Sequence, residues 1–343
     1  MLGDTASAEQ VLPMSMTWTN SCPIVLAGFV LLGGCTDSGR RISPGPPQDQ
    51  AASLQAGQII ETATGQSIPL DQLLARVSRQ EVLYLGEEHH NRYHVEAALS
   101  LLNHLTTEGF RPFLAMEMFG WDGQASVDRY LEGSTINREE FLEQINWKQN
   151  WGGPFEDYEP LVSFAKAHHL TLAALNPPKT LVRSIARHGL SQARLEPGWT
   201  AWGMQDETIV DDPGYRQLIL RQLRACHDGG SDALYQTMYE ASMVRDEGMA
   251  KTIVSLVETV RSAGDSTRGP IVSYTGGGHI QYNLPVPKRV TRRLGNPVRQ
   301  MSIYMMAFES GRSDDLREMI EEKIADFVWL TPVGSHGPPH RCG

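Results

Sequence analysis

Apolar and polar residues follow two alternating patterns along most of the chain. Short apolar runs predict buried strands at residues 82–85 (VLYL), 113–118, 170–175, 271–274 and 300–308. Residues 58–68 predict a hairpin that turns at Thr64 and Gly65, and helical spacing of apolar residues predicts helices at 72–77, 91–107, 161–167 and 218–261, the last interrupted at Gly229 and Gly230. Short strands separated by helices predict an α/β fold, a single domain with a mostly parallel central sheet flanked by helices.

The first 56 residues do not follow these patterns. A nine-residue apolar run at 24–32 is too short to span a bilayer, which needs ~20 residues, but it is typical of a secretory signal. It ends in Leu-Gly-Gly followed by Cys35, which resembles the lipobox of bacterial lipoproteins, where the cysteine is lipidated and becomes the first residue. We therefore expect a signal peptide at 1–34, lipidation at Cys35 and a flexible tether at 35–56. By resemblance to lipoprotein sorting, Thr36 after the cysteine favours a lipid anchor in the outer membrane of a Gram-negative bacterium.

Composition narrows the class of protein. The 343 residues carry a formal net charge of −10, and 41% of them are apolar, which is typical of a globular protein. An acidic chain lacks the basic surface that a dedicated nucleic-acid-binding protein needs, so we expect no nucleic-acid partner. We assign residues 57–332 to the folded domain and 333–343, with His336 and His340, to a disordered tail.

Polar side chains gather where the predicted strands end. Glu87 and His89 follow the first strand, Glu117 closes the second, Asn176 the third, and His279 follows the fourth. Because ligands bind beyond the carboxyl ends of parallel strands, we expect these side chains to share one cleft, with Asp246 brought in by a helix.

Two Gly-x-x-His elements, at 86–89 and 276–279, end two separate strands. Two histidines with Glu87 or Glu117 are typical of a divalent metal site, or of an acid–base pair around an activated water. The residues therefore predict a site of His89, His279, Glu87 and Glu117 that holds a metal or hydrolyses a substrate. Taken singly, each residue is more readily explained as a helix cap, an ion-pair partner or part of a turn.

Several longer segments resemble one known family, the ChaN-like haem-binding uptake lipoproteins. The resemblance covers about residues 59–290. It rests on 85–105 (LGEEHHNRYHVEAALSLLNHL), 114–119 (LAMEMF), 147–165, 173–178 (AALNPP), 245–250 (RDEGMA) and 275–287 (TGGGHIQYNLPVP).

The resemblance implies a haem-binding lipoprotein for iron or haem acquisition or storage, with a homodimer enclosing haem in an apolar cavity. It also implies a tyrosine as iron ligand, with histidine toward the haem propionates. Arginines are suited to meet propionate carboxylates. The candidate haem-binding residues are Tyr93, Tyr158, Tyr282, His89, His279, Arg92 and Arg245.

Three hypotheses stay open at this stage. The first is a haem-binding lipoprotein, and the second is a metal-dependent hydrolase, esterase- or protease-like, that uses the two Gly-x-x-His elements. The third is a scaffolding lipoprotein with a vestigial site.

Overall fold

The structure is a computed structural model that describes residues 53–133, 136–227, 229–265 and 267–337. The expected signal peptide, the lipidation site Cys35 and all of the tether before residue 53 lie outside these ranges, as do residues 338–343 of the expected tail. Within the described ranges, every helix is too short or too polar to cross a membrane.

One eight-stranded sheet organises the domain. The strands lie in the order β2-β1-β8-β7-β3-β6-β4-β5, and the five pairings among β3 to β8 are all parallel. The strand bounds are β1 Ile59–Glu61, β2 Gln66–Ile68, β3 Val82–Glu87, β4 Arg111–Gly120, β5 Leu172–Asn176, β6 Arg268–Gly276, β7 Gln300–Ala307 and β8 Phe327–Thr331. The expectation of an α/β domain with a mostly parallel sheet is confirmed.

Helices follow most strands and account for the crossovers. Their bounds are α1 Leu70–Val77, α2 Arg92–Thr107, α3 Gln124–Leu131, α4 Arg138–Gln144, α5 Trp147–Asn150, α6 Glu159–Ala167, α7 Lys179–His188, α8 Leu190–Ala193, α9 Pro197–Ala201, α10 Pro213–Cys226, α11 Asp232–Ala263, α12 Val286–Leu294 and α13 Ser313–Glu321. Short 3₁₀ turns lie at Trp121–Gly123, Phe155–Asp157, Gly277–His279, Gln281–Asn283 and Ser310–Arg312.

The core is divided between the two faces of the sheet. Because successive side chains of a strand point to opposite faces, Leu83 and Leu85 pack with α2 and α6, whereas Val82 and Tyr84 pack with α11 and α12. Both faces are therefore covered by helices, which explains why β3 is a continuous apolar run.

The predicted hairpin at 58–68 is present as β1 and β2, which are antiparallel. It joins the sheet through β8, a strand that the sequence patterns did not predict. Strand β8 lies between β7 and β1, so its position depends on pairing across more than 250 residues and is not encoded in the local pattern.

Helix α11 is the longest helix described, with 32 residues, and carries two consecutive buried carboxylates. Asp246 faces the carboxyl edge of the sheet, where it contacts His279. Glu247 faces α12 instead, where three guanidinium groups contact it, those of Arg289, Arg292 and Arg293.

Candidate functional site

The site lies at the carboxyl edge of the sheet, where β3, β4, β5 and β6 end. Glu87 is the last residue of β3 and is paired in register with Gly276, the last residue of β6. His89 follows in the loop after β3, and His279 follows in the turn after β6. The strand-end argument thus places these groups correctly, because the parallel register brings the ends together.

The Glu87 carboxylate is buried and accepts three hydrogen bonds. The Tyr158 hydroxyl donates to its Oε1 atom at 2.8 Å, and the Tyr274 hydroxyl donates to Oε2 at 2.7 Å. The Nδ1 atom of His89 lies 2.8 Å from Oε1. A buried carboxylate needs such donors in place of water, and this network fixes the orientation of Glu87.

His89 is the most accessible of the four predicted groups, with 36% of its side chain exposed. Its ring meets the Trp151 indole edge-on, with ring centroids 4.8 Å apart. Burial lowers the pKa of His89, but the hydrogen bond to Glu87 and the charges of Glu117 and Glu87 outweigh it and raise the pKa above its ordinary value. Among the described residues, its Nε2 atom makes no hydrogen bond.

Gly276 explains how His89 can lie so close to β6. A Cβ at this position would lie 2.8 Å from the Cε1 and Nε2 atoms of His89 and 3.5 Å from Oε2 of Glu117. The missing side chain therefore provides the space in which the imidazole and the second carboxylate approach each other.

Glu117 is buried and lies between positive groups. The guanidinium group of Arg245 donates to Oε1, the Nε2 atom of His279 lies 3.4 Å from the same oxygen, and the backbone N–H of Gly276 donates to Oε2 at 2.6 Å. Burial alone would raise the pKa of Glu117, but the charges of His279 and Arg245 hold it well below its usual range. Asn176 completes this group, because it donates to the Glu117 carbonyl and accepts from Arg245 Nε, both at 2.8 Å.

His279 belongs to a second carboxylate–imidazole pair. Its Nδ1 atom lies 2.5 Å from Oδ1 of Asp246, and the Tyr215 hydroxyl donates to Oδ2 of the same carboxylate at 2.5 Å. Burial lowers the pKa of His279, but the charges of Glu117 and Asp246 overcome it and raise the pKa to about 9. The expected positions of Asn176 and Asp246 beside the four groups therefore agree with the structure.

The same contacts do not support the predicted divalent metal site. In the described ranges, no group of three or more His, Cys, Asp and Glu side chains has the geometry to hold a metal ion. The physical reason is that the carboxylates already have partners: Glu87 accepts from two tyrosines and His89, and Glu117 is paired with Arg245.

The three candidate tyrosines have different surroundings. Tyr158 is fully buried within the Glu87 network, and burial with the nearby Glu87 charge raises its pKa well above the ordinary value. The Tyr282 hydroxyl donates to Glu322 at 2.8 Å, and burial and this bond raise its pKa to about 12. The Tyr93 hydroxyl accepts from Arg92 at 3.1 Å and, within the described residues, contacts no carboxylate.

The two candidate arginines differ as well. Arg92 is exposed, lies over the Tyr93 ring at 4.6 Å and forms a loose pair with Glu96. Arg245 is held by Glu117 and Asn176 and keeps 31% of its side chain exposed.

Part of the expected tail lies beside the site. His336 and His90 both contact Asp157, at 3.6 Å and 2.7 Å, and their ring centroids are 5.7 Å apart. Residues 333–337 are thus described next to the loop after β3, whereas 338–343 lie outside the described residues.

The sequence patterns did not identify the residues that hydrogen-bond to the carboxylates and the backbone of the site. Tyr274 and Tyr215 donate to Glu87 and Asp246; Tyr274 lies in a predicted core strand, whereas Tyr215 precedes the predicted helix at 218–261. His94, which could have belonged to a solvated face of α2, is instead fully buried; it accepts from the Glu88 N–H, and burial lowers its pKa to about 3. A tyrosine within an apolar strand that ends at the site was the available signal.

Comparison with known proteins identifies a family and solved structures of similar fold. The model of the family described as haem-binding uptake, Tiki superfamily, ChaN matches residues 73–290. The structure entitled "Cofacial heme binding to ChaN of Campylobacter jejuni" superposes with a TM-score of 0.60 at 17% identity, covering 79% of this chain and 95% of that one. An erythromycin esterase in its open conformation is more distant, with a TM-score of 0.41 at 16% identity over 74% of this chain and 77% of that one.

A plant relative extends the comparison. The Arabidopsis thaliana protein RETICULATA-RELATED 5, chloroplastic, is 23% identical over 228 residues, or 64% of this chain, and the match spans 29% of its own length. The family model covers well over half of the present chain, including β3 to β6 and every strand-end group of the site. The chain therefore belongs to the ChaN family of haem-binding uptake proteins in the Tiki superfamily.

Proposed function

We propose that this chain binds haem at the carboxyl edge of the sheet, with His89 as the axial donor. The observation that carries the proposal is the partly exposed imidazole of His89, whose Nδ1 atom is held by Glu87 while Nε2 has no hydrogen-bond partner among the described residues. Imidazoles that ligate metals usually have their other ring nitrogen held in this way by a carboxylate. Membership of a haem-binding family supports haem as the bound molecule.

The surroundings of His89 suit a flat apolar disc with two carboxylates. Trp151 supplies an aromatic surface beside the imidazole, and Arg245 supplies a partly exposed guanidinium group. Bound haem would supply an iron centre that takes a nitrogen ligand. His89 would hold the iron, Trp151 would pack against the porphyrin and Arg245 would meet its carboxylates.

A haemin titration of the chain from residue 36 onward tests the proposal. We expect a shifted Soret band at micromolar protein, and loss of that spectrum in His89→Gln but not in the surface variant His188→Gln. Tyr93→Phe is measured in parallel, since loss of the spectrum in this variant alone would reassign the ligand to Tyr93. No Soret change in the parent protein would refute haem binding.

We propose further that the protein is a lipoprotein of the cell envelope that acts in haem or iron acquisition or storage. The Leu-Gly-Gly-Cys sequence ending at Cys35 supports lipidation, and Thr36 after the cysteine supports an outer-membrane location. Membrane fractionation of Cys35→Ala tests it: the variant should become soluble, and unchanged firm membrane attachment would exclude the lipid anchor.

A homodimer is the proposed haem-bound state. One cleft covers one face of a porphyrin, and a second copy related by a two-fold axis would cover the other. Size-exclusion chromatography with and without haemin should show haem-dependent dimerisation; haem that elutes only with monomer would contradict it.

Hydrolysis is a second candidate function. It is favoured by the two carboxylate–imidazole pairs, His89 with Glu87 and His279 with Asp246, the second of which contacts Glu117. Such pairs are suited to general acid–base catalysis with water. Ester hydrolysis that disappears in both His89→Gln and His279→Gln would support this candidate, and its absence in the parent protein would reject it.

A further inference from the structure

A cavity lies at the amino edge of the sheet, where the parallel strands begin. It has a volume of about 440 Å³ and is lined by the segment between α1 and β3, the end of α11 and the start of β6. Strand β3 runs from this cavity to Glu87, and its six residues separate the two by roughly 20 Å. A ligand in the cavity would therefore lie apart from the cleft that contains His89.

Positive charge predominates in the cavity. The described residues of its charged lining are four arginines and two carboxylates: Arg79, Arg261, Arg268, Arg299, Glu81 and Asp265. In a protein with a formal net charge of −10, this is a local reversal of charge. Helix ends explain only part of it, because a cation in the last turn offsets the helix dipole and Arg261 lies there, whereas Arg268 begins β6 and Arg299 precedes β7.

The two carboxylates are engaged by other arginines. Glu81 pairs with Arg261 at 2.9 Å and with Arg299 at 3.5 Å. Asp265 pairs with Arg111, which is not among the described residues that line the cavity. The acidic groups of the cavity therefore neutralise only part of its positive charge.

Two guanidinium groups remain without a carboxylate partner. Within the described ranges, Arg79 and Arg268 form no ion pair; the Arg79 side chain is exposed, and that of Arg268 lies over the Phe113 ring at 5.5 Å. They belong to different elements, the segment after α1 and the first position of β6. An anionic ligand in the cavity would complement both charges.

The remaining wall of the cavity is largely apolar. Its apolar side chains include Phe110, Val257, Val260 and Ile271. Small-molecule sites of about 300–1,000 Å³ typically combine such a wall with a few charged groups that orient the ligand. The cavity therefore suits a ligand that has both an apolar part and an anionic group.

We infer that this cavity binds a phosphate group attached to an apolar moiety. Guanidinium groups bind phosphate through pairs of N–H donors. A phosphate monoester carries about two negative charges at neutral pH and three terminal oxygens, which matches two unpaired arginines. A carboxylate offers a single charge and two oxygens.

Calorimetric titration with phenylphosphonate tests the inference, because this probe has a dianionic head and an aromatic ring and is not hydrolysed. The titrations use Cys35→Ala as the parent, so that no lipid anchor contributes. Three further variants are made in it: Arg79→Gln, Arg79→Gln with Arg268→Gln, and Arg187→Gln. Arg187 is exposed near the end of α7 and away from the described lining, so its variant makes the same charge change elsewhere.

Each arginine removed from the cavity should weaken phenylphosphonate binding by about two- to five-fold, as for other partly exposed ion pairs. Arg79→Gln removes no ion pair within the described ranges, so its fold should be unchanged. Arg187→Gln should bind the probe like the parent. No binding by the parent at millimolar probe, or equal affinities of the double variant and the parent, would overturn the inference.

Two smaller probes test the chemistry of the ligand. Benzoate has the same ring with a single charge, and inorganic phosphate has the charge without the ring. Both should bind more weakly than phenylphosphonate. Benzoate binding of equal strength would overturn the assignment to phosphate, and inorganic phosphate binding of equal strength would overturn the apolar part.

Vesicles distinguish the two sources of such a ligand, a soluble phosphate ester and a lipid headgroup. Cosedimentation with phosphatidic acid vesicles but not with phosphatidylcholine vesicles, lost in the double variant, would support a headgroup. Phenylphosphonate binding without cosedimentation would support a soluble ester.

Discussion

The buried pair of His279 and Asp246 predicts how stability depends on pH. The pKa of His279 is raised to about 9, whereas an unfolded histidine titrates near 6.5. A group with a raised pKa stabilises the fold fully below its unfolded pKa, and this contribution is lost as the pH rises through the folded value. His279 should therefore stabilise the protein at pH 6 and no longer do so at pH 10.

The magnitude follows from the size of the shift. The side chain of His279 is only 15% exposed, so little of the interaction is screened by water. Each pKa unit corresponds to about 1.4 kcal/mol, and the shift to about 9 gives a contribution of about 3 kcal/mol. Asp246→Asn removes one of the two carboxylates that raise this pKa. We expect it to remove roughly half of the contribution, because the charge of Glu117 remains.

Urea unfolding at pH 6 and pH 10 measures the effect, and an NMR titration of the His279 ring gives the pKa itself. Other groups also titrate in this interval, so the informative quantity is the difference between the parent protein and Asp246→Asn. A surface pair provides the control: His188 and Glu196 lie 3.5 Å apart with most of the histidine exposed, so Glu196→Gln should change the free energy of unfolding by less than about 1 kcal/mol. A His279 midpoint at or below 6.5, or the same pH dependence in Asp246→Asn and the parent, would refute the reasoning.

Three further predictions concern the residues that shape the site. Gly276→Ala would place a Cβ 2.8 Å from the His89 ring, so the ring must move. The NMR titration of His89 and the haemin spectrum should therefore both change. The control is Gly311→Ala, whose Cβ would meet nothing within 4 Å and which should leave both unchanged. Burial lowers the pKa of His94 to about 3, so the unfolded chain takes up a proton at a higher pH than the fold does, and the free energy of unfolding should fall below pH 6.5 by up to about 1.4 kcal/mol per pH unit. Urea unfolding of His94→Gln should show a smaller fall. The same fall in this variant and the parent would show that the histidine is charged in the fold. Tyr274→Phe removes a donor from a buried carboxylate and should lower the free energy of unfolding by about 1–3 kcal/mol, and an unchanged value would show that the carboxylate is satisfied without it.

The side chains that follow the strand ends could be predicted from the sequence, because a parallel sheet brings the carboxyl ends of its strands to one edge. Once β3 and β6 are recognised as buried strands, the register brings Glu87 and His89 to the same edge as His279. The apolar runs identified these strands correctly, since a strand covered on both faces is apolar throughout.

The partners of these groups could not be predicted in the same way. Tyr158 reaches Glu87 from a loop 71 residues away, and Tyr215 reaches Asp246 from the start of α10. These contacts depend on how helices pack over the sheet edge, which no local spacing encodes. The expected metal site shows the consequence. The chain has side chains of the types that ligate metals, but their carboxylate oxygens already accept hydrogen bonds from tyrosine and arginine.

Asp246 and Glu247 are neighbours in sequence but face different sides of α11, because each residue of a helix is rotated by about 100° from the one before. One side of α11 thus orients His279, and the adjacent side binds the arginines of α12. An insertion or deletion of one residue in this turn would turn each carboxylate away from its partners, and no shift in the loops at either end could restore both. Among relatives, we therefore expect length variation in the connections between α7 and α10 but a constant residue count through this part of α11.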